Sequence, residues 1–267
     1  MTIPLFHVDA FTDSPFAGNP AAVCILPSWK EDGWLQAVAG EMNLPMTAFL
    51  VKHADLFDLR WFTPSVEVVL CGHATLAAAH ILWQQWHATA DELRSSTKSG
   101  VLKAVRSGDD IDLDFPLMPE EAAEPPPGLL PALGVSAKYV GKSPFGYLVE
   151  LESEAAVRGL APDFKRLATV PMRGVVVTGT SADAQFDFVS RFFAPAIGVD
   201  EDQVTGSAHC CLAGFWRKWL HKSEFVAFQA SGMGGVVKVR AVKDRVLLGG
   251  RAVTVARGEL LIEGDEP

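Results

Sequence analysis

Hydrophobic and polar positions along this chain sort into many short runs and two long apolar ones. Residues 3–8 and 21–26 have the length and content of strands, and a turn-rich stretch from Thr12 to Pro20 separates them. Residues 31–42 place Trp34, Leu35, Val38 and Met42 on one face at helical spacing. Residues 47–52 and 57–63 read as strands, and residues 101–105 and 111–115 as a hairpin joined through Gly108-Asp109. The first long apolar run starts near Gly72 and ends near Trp86, which predicts a helix buried on all sides. The second half predicts strands at 138–140, 147–151, 175–178 and 186–193, then a second apolar helix over 206–220. Glycine-punctuated strands at 224–230, 236–242, 245–248, 252–255 and 259–262 finish the chain. Residues 116–128, acidic and carrying Pro125-Pro126-Pro127, are the expected linker, which divides residues 1–118 from 119–267. The picture is α+β, with sheets wrapped around one buried helix per half.

The two long runs share a preamble. Arg60-Trp61-Phe62-Thr63-Pro64 precedes Cys71-Gly72-His73-Ala74-Thr75, and Arg191-Phe192-Phe193-Ala194-Pro195 precedes Thr205-Gly206-Ser207-Ala208-His209. A motif repeated in one order predicts two similar domains that face each other, so that two helix starts contribute to one cleft.

Composition narrows the partners. The 267 residues are 49% hydrophobic and 21% charged, which fits a folded globular protein. Two domains of roughly 120 to 130 residues would each bury a core. A net charge of −9 offers no basic stripe for phosphates and argues against nucleic acid. No Asp, Glu, Lys or Arg lies between Glu67 and Asp91, yet Gly72, His73, Thr75, His80, Gln84 and Gln85 favour a buried helix over a membrane span. The start of the chain lacks the pattern of a signal peptide. The adjacent Cys210-Cys211 does not fit a disulfide framework, and the expected compartment is the reducing cytoplasm.

Candidate chemistry gathers at the two helix starts. A helix N-terminus attracts anions through its N–H groups and dipole, and Gly72 and Gly206 let the backbone approach a ligand. A small carboxylate is the expected ligand. His73 and Asp202 are candidate proton carriers, although a satisfied core histidine and a capping or solvated acid are the plain alternatives. Cys71 is a candidate base, because a helix N-terminus favours the thiolate, or else a small buried hydrophobe. Cys24, Cys210 and Cys211 are expected in cores. His209-Cys210-Cys211 has poor spacing for metal ligands on a helix, so no metal is expected. Gly232-Met233-Gly234-Gly235 makes no dinucleotide fingerprint.

Five separated motifs carry a resemblance. They are Val8-Asp9-Ala10-Phe11 with Phe16-Ala17-Gly18-Asn19-Pro20, Asn43-Leu44-Pro45-Met46-Thr47-Ala48-Phe49, Arg60 to Pro64, Cys71 to Ala77, and Glu201 to His209. Together they resemble the phenazine-biosynthesis isomerase (PhzF-like) family over nearly the whole chain. The resemblance implies the diaminopimelate-epimerase-like fold, two pseudo-symmetric domains each wrapping a barrel-like sheet around a central helix. In that fold the last strand can cross back to the first domain. It also implies an active site between the domains, no cofactor and a homodimer. The family's best-known reaction isomerises a dihydro-hydroxyanthranilate by moving a proton between ring carbons. His73 and Asp202 match the family's His and Asp, Ser207 its substrate-contacting serine, and Asn19 its loop asparagine, while Thr205 and the two glycines complete the expected substrate site. The family's proton-carrying Glu is replaced here by Met46, whose thioether carries no proton. Gly235 stands where relatives often have Arg. Epimerases and racemases of the wider superfamily use a Cys before each helix-start glycine, and Cys71 with Thr205 fits a one-sided version, an epimerase or dehydratase of an amino or hydroxy acid. A binding protein that keeps the carboxylate site but not the chemistry is the third expectation.

Overall fold

A computed structural model describes residues 2–53, 56–85 and 90–261. The chain forms two compact units, Met1–Asp114 with Gly250–Pro267, and Phe115–Gly249. Trp86 and Ile262, where a helix and a strand were expected to end, lie outside the described residues.

The first unit holds β1 (Thr2–Ala10), β2 (Asn19–Leu26), α1 (Asp32–Met42), β3 (Met46–His53), β4 (Leu56–Phe62), β5 (Glu67–Val68), α2 (Gly72–Gln85), β6 (Glu92–Thr97), β7 (Gly100–Ser107) and most of β8 (Asp110–Pro116). β1 pairs antiparallel with β2, β2 parallel with β3, and β3 antiparallel with β4. β4 then pairs antiparallel with β5 and parallel with β6, and β6, β7 and β8 continue antiparallel. α2 packs against β1, β2 and β3. Ten of its fourteen residues are buried, from His73 to Trp83, as its all-round apolarity requires. α1 covers the opposite face of β3 through Leu35 and Ala39, which join Cys24, Leu26, Phe49 and Phe62 in a second core. With both faces covered, β2 is buried along its whole length and reads as an unbroken apolar run. α1 stops where Asn43 adopts a left-handed φ of 49° and bonds back to Ala39 O, ahead of Pro45.

The second unit repeats this order. β9 (Glu121–Ala122), β10 (Tyr139–Ser143) and β11 (Gly146–Glu150) are antiparallel neighbours. β11 pairs parallel with β12 (Val175–Thr180), and β12 antiparallel with β13 (Phe188–Ala194). β13 pairs antiparallel with β14 (Val199–Asp202) and parallel with β15 (Glu224–Gln229), after which β16 (Gly235–Val242) and β17 (Arg245–Gly250) follow antiparallel. The central helix is α6 (Gly206–Leu220), and α3 (Leu129–Leu133), α4 (Glu154–Arg158) and α5 (Phe164–Leu167) cover the other face of β11 and β12.

Three features differ from the sequence pattern. The stretch read as a linker is bonded into the second unit: Leu117 N–H donates to Asp244 O, Met118 N–H to Cys210 O and Ala123 N–H to Val140 O. Its prolines limit its own donors without preventing this docking. The two strands expected at 252–255 and 259–262 are one strand, β18 (Ala252–Leu261), which pairs antiparallel with β1 in the first unit. Gly258 lies within it and a bulge falls opposite His7 and Val8. The short α3, α4 and α5 are too brief for a periodicity signal. α4 and α5 are announced only by their caps, Ser153 and Asp163, whose side chains accept from Ala156 and Arg166 N–H.

The repeated arginines have matching roles. Arg60 grips Glu67 through two bonds of 2.8 Å, and Arg191 grips Glu201 through bonds of 2.7 and 2.8 Å. Each guanidinium also lies over the aromatic ring two residues on, Phe62 at 5.2 Å and Phe193 at 5.0 Å. These forks tie β4 and β13 to the segments that enter α2 and α6. Arg60 holds the Glu67 carboxyl down to about 2, through the hydrogen-bonded fork first and despite burial. Replacing Arg191 by Met leaves Glu201 without its fork, and we expect a loss of about 3 kcal/mol in urea unfolding. Arg191→Lys keeps charge but not the fork, and should recover less than half of that loss.

Candidate active site

In the first unit the residues before and after Gly72 meet the first residue of β2. Cys71 Sγ lies 3.5 Å from His73 Nδ1 and 4.0 Å from Nε2. Asn19 Nδ2 lies 3.2 Å from the same Nδ1. An amide nitrogen only donates, so Nδ1 accepts and the neutral ring carries its proton on Nε2. Asn19, Cys71 and His73 are 0%, 7% and 5% exposed, which shields the cluster from bulk water. β2 delivers Asn19 because the left-handed Gly18, φ 76°, turns the chain where a Cβ would lie 2.3 Å from Ala10 O. Met46 opens β3, aligned with Ala21 of the parallel β2, and is buried. Met46 therefore lies two residues along the strand register from Asn19.

In the second unit Thr205 Oγ1 donates to Asp202 Oδ2 at 2.7 Å. Gly206 opens α6 and Ser207 is half-buried in its first turn. Gln229, fully buried at the end of β15, accepts from Thr205 N–H at 2.9 Å and donates to Asp202 O at 2.7 Å. The structure thus brings Asn19, Cys71 and His73 together in one unit and Asp202 and Thr205 in the other.

Sequence reasoning passed over Gln229, and over a second duplicated device. Thr75 and His209 occupy the same place in the repeated motif. The Thr75 hydroxyl donates to Cys71 O at 2.5 Å, and His209 Nδ1–H donates to Thr205 O at 2.9 Å. The backbone N–H of each donates to the same carbonyl, at 3.2 and 3.3 Å. The residue before each helix-start glycine is therefore held twice. The matched positions were the signal, hidden because Thr and His look unrelated. The remaining cysteines are buried, and burial pushes the Cys24, Cys210 and Cys211 thiols up to about 12. Among the described residues, no group of three or more His, Cys, Asp or Glu side chains could hold a metal ion, and no helix is long and apolar enough to cross a membrane.

A family model described as phenazine biosynthesis-like protein matches residues 8–126 and 129–258. The chain belongs to the PhzF-like family. An uncharacterized isomerase from Halalkalibacterium halodurans is 51% identical over 264 residues, 98% of this chain and all of the relative. The crystal structure of a PhzF-family protein from Enterococcus faecalis superposes with a TM-score of 0.95 at 37% identity, covering 98% of this chain and 100% of that one. A probable proline racemase from Agrobacterium radiobacter, 11% identical, matches 98% of this chain and 93% of its own with a TM-score of 0.65, a likeness of fold alone. The PhzF-like chain therefore has the diaminopimelate-epimerase-like fold.

Two histidines are expected to make this PhzF-like protein less stable in acid. Burial pulls both His80 and His209 from near 6.5 to about 4. His209 is 0% exposed, and its Nε2 has no hydrogen-bond partner among the described residues. His80 Nε2 bonds Thr254 Oγ1 at 3.1 Å, joining α2 to β18. Between those pH values the unfolded chain binds protons that the folded chain refuses. Stability should be full above pH 6.5 and fall towards pH 4, by at most about 1.4 kcal/mol per pH unit for each ring. Denaturant titrations from pH 7 to 4 check this, with His80→Gln and His209→Gln each expected to flatten the slope.

Proposed function

We propose that this chain is a PhzF-like isomerase that moves a proton on a small carboxylate substrate. Cys71 and His73 are the acid–base pair of the first unit, and Asp202 is the candidate proton carrier of the second. The observation that carries this reading is the 3.5 Å approach of Cys71 Sγ to His73 Nδ1. Transfer of the thiol proton to Nδ1, with the Asn19 N–H released from that lone pair, leaves a thiolate beside an imidazolium, a base and an acid in one half-site. The thiolate takes a proton from a substrate carbon, and the electron pair left behind spreads into the carboxylate. The imidazolium then returns its Nε2 proton at a second carbon, which leaves a thiol and a neutral imidazole, so net charge and atoms balance. The N-terminal end of α2, beside Cys71 and His73, favours the negative charge that develops on the carboxylate oxygens. Burial of Asn19, Cys71, His73 and Thr205 strengthens these interactions. Met46 fits this assignment, because a thioether at the usual carboxylate position leaves the proton work to its neighbours.

The Cys71 geometry also supports a second reading, an epimerase or dehydratase of an amino or hydroxy acid, with Thr205 at the matching place. The two readings differ in product: a shifted double bond for the isomerase, an inverted centre or lost water for the alternative.

Incubation in heavy water with dihydro-hydroxyanthranilate, L-proline and lactate, read by mass spectrometry and NMR, tests both. We expect deuterium uptake into at least one compound, lowered about 100-fold or more by Cys71→Ala and by His73→Ala. Met46→Glu should lower it as well, since the new carboxylate competes for the proton. Uptake absent from the natural protein but gained by Met46→Glu would replace the enzyme reading with that of a carboxylate-binding protein.

A further inference from the structure

The turn that carries Asp202 is clamped from one side by the end of β15 and the loop after it. Gln229 holds Asp202 O and Thr205 N–H, Ser231 Oγ donates to Gln203 O at 2.6 Å, and Met233 N–H donates to Gln203 Oε1 at 2.8 Å. The amide orientation of Gln229 is fixed by these contacts. Reversing it would set an NH2 against the Thr205 N–H and an oxygen against the Asp202 carbonyl. Its backbone is fixed too, aligned with Ser190 of β13 and Gly235 of β16.

A third contact gives this amide chemical meaning. Gln229 Nε2 also lies 3.2 Å from Thr205 Oγ1 and donates to it. The hydroxyl has one proton, and it lies 2.7 Å from Asp202 Oδ2. With Nε2–H on its lone pair, the hydroxyl turns its own proton towards the carboxylate. Without that donor, the Thr205 proton is able to rotate to other acceptors. We infer that Gln229 is a positioning residue, which aims the Thr205 hydroxyl at Asp202 and so holds that carboxylate in place for proton transfer. The chain Gln229 Nε2–H to Thr205 Oγ1–H to Asp202 Oδ2 runs in one direction. Gln229 acts only through its neighbours and touches no reacting atom. It lies outside the duplicated motif, 24 residues beyond Thr205 in the chain.

This inference rests on the proton-transfer reading above, so its test has one arm that needs no turnover. In proton–nitrogen NMR spectra, Thr205→Val removes the acceptor of one Gln229 side-chain proton, whose resonance should move upfield, and Thr205→Ser should restore it. An unmoved resonance in Thr205→Val overturns the inference whether or not the protein is active. The second arm measures deuterium uptake into dihydro-hydroxyanthranilate. Gln229→Met should lower turnover about 10- to 100-fold with KM changed less than about threefold. In an Asp202→Asn background the same substitution should cost little further. Loss persisting in full in that background overturns the positioning role. A resonance that moves as expected, in a natural protein that exchanges no probe, supports the placement of Thr205 by Gln229 and sinks the functional reading alone. Should Gln229→Met fail to fold, the Thr205 pair decides the question with Gln229 intact.

Discussion

A helix buried on every side has no polar face by which to hold its place, and its first turn leaves backbone N–H groups that the helix itself cannot satisfy. α2 and α6 both meet this constraint, and the rest of each unit is arranged around it. The sheet supplies apolar contact along each helix, while polar atoms do the holding at the start. In both cases the residue before the glycine has its carbonyl bound by a backbone N–H and by a side chain four residues on, Thr75 or His209. In both cases an arginine–glutamate fork pins the segment that leads in. A glycine beside these fixed points then opens each helix with no side chain on its first residue.

On this shared frame the two units carry unlike chemistry. The first presents a thiol, an imidazole and an amide, all buried. The second presents a carboxylate and a hydroxyl, with a buried amide behind them. Duplication preserved the supports more faithfully than the groups they support. Met46 is buried at the start of β3, in register with Ala21 of β2.

How much of this could be read from the sequence depended on the range of each interaction. The two helices and the paired arginine motifs were legible because apolarity and repetition are local signals. Asn19, Cys71 and His73 were legible as candidates through the same motifs, although their approach within 3.5 Å was not. Gln229 was illegible: it lies 24 residues beyond Thr205 in the chain, in a strand whose alternation only marks it as inward-facing. Glu67 and Glu201 were passed over as ordinary charges, because a fork depends on where two strands end. Residues 116–128 misled for a related reason, since proline and acid content describes a loop's composition and not what its carbonyls and few amides bind.

The place of β18 has a consequence for synthesis. All of the second unit lies in one unbroken stretch, whereas β1 pairs with a strand some 250 positions later. A ribosome therefore releases every residue of the second unit while the first still lacks one of its strands. Until position 261 emerges, β1 shows a bare edge of unpaired amides and carbonyls along its length, the kind of edge that recruits the wrong neighbour. The part of the protein made first is the last to be closed, and during that interval the thiol and imidazole already reside in the unfinished half.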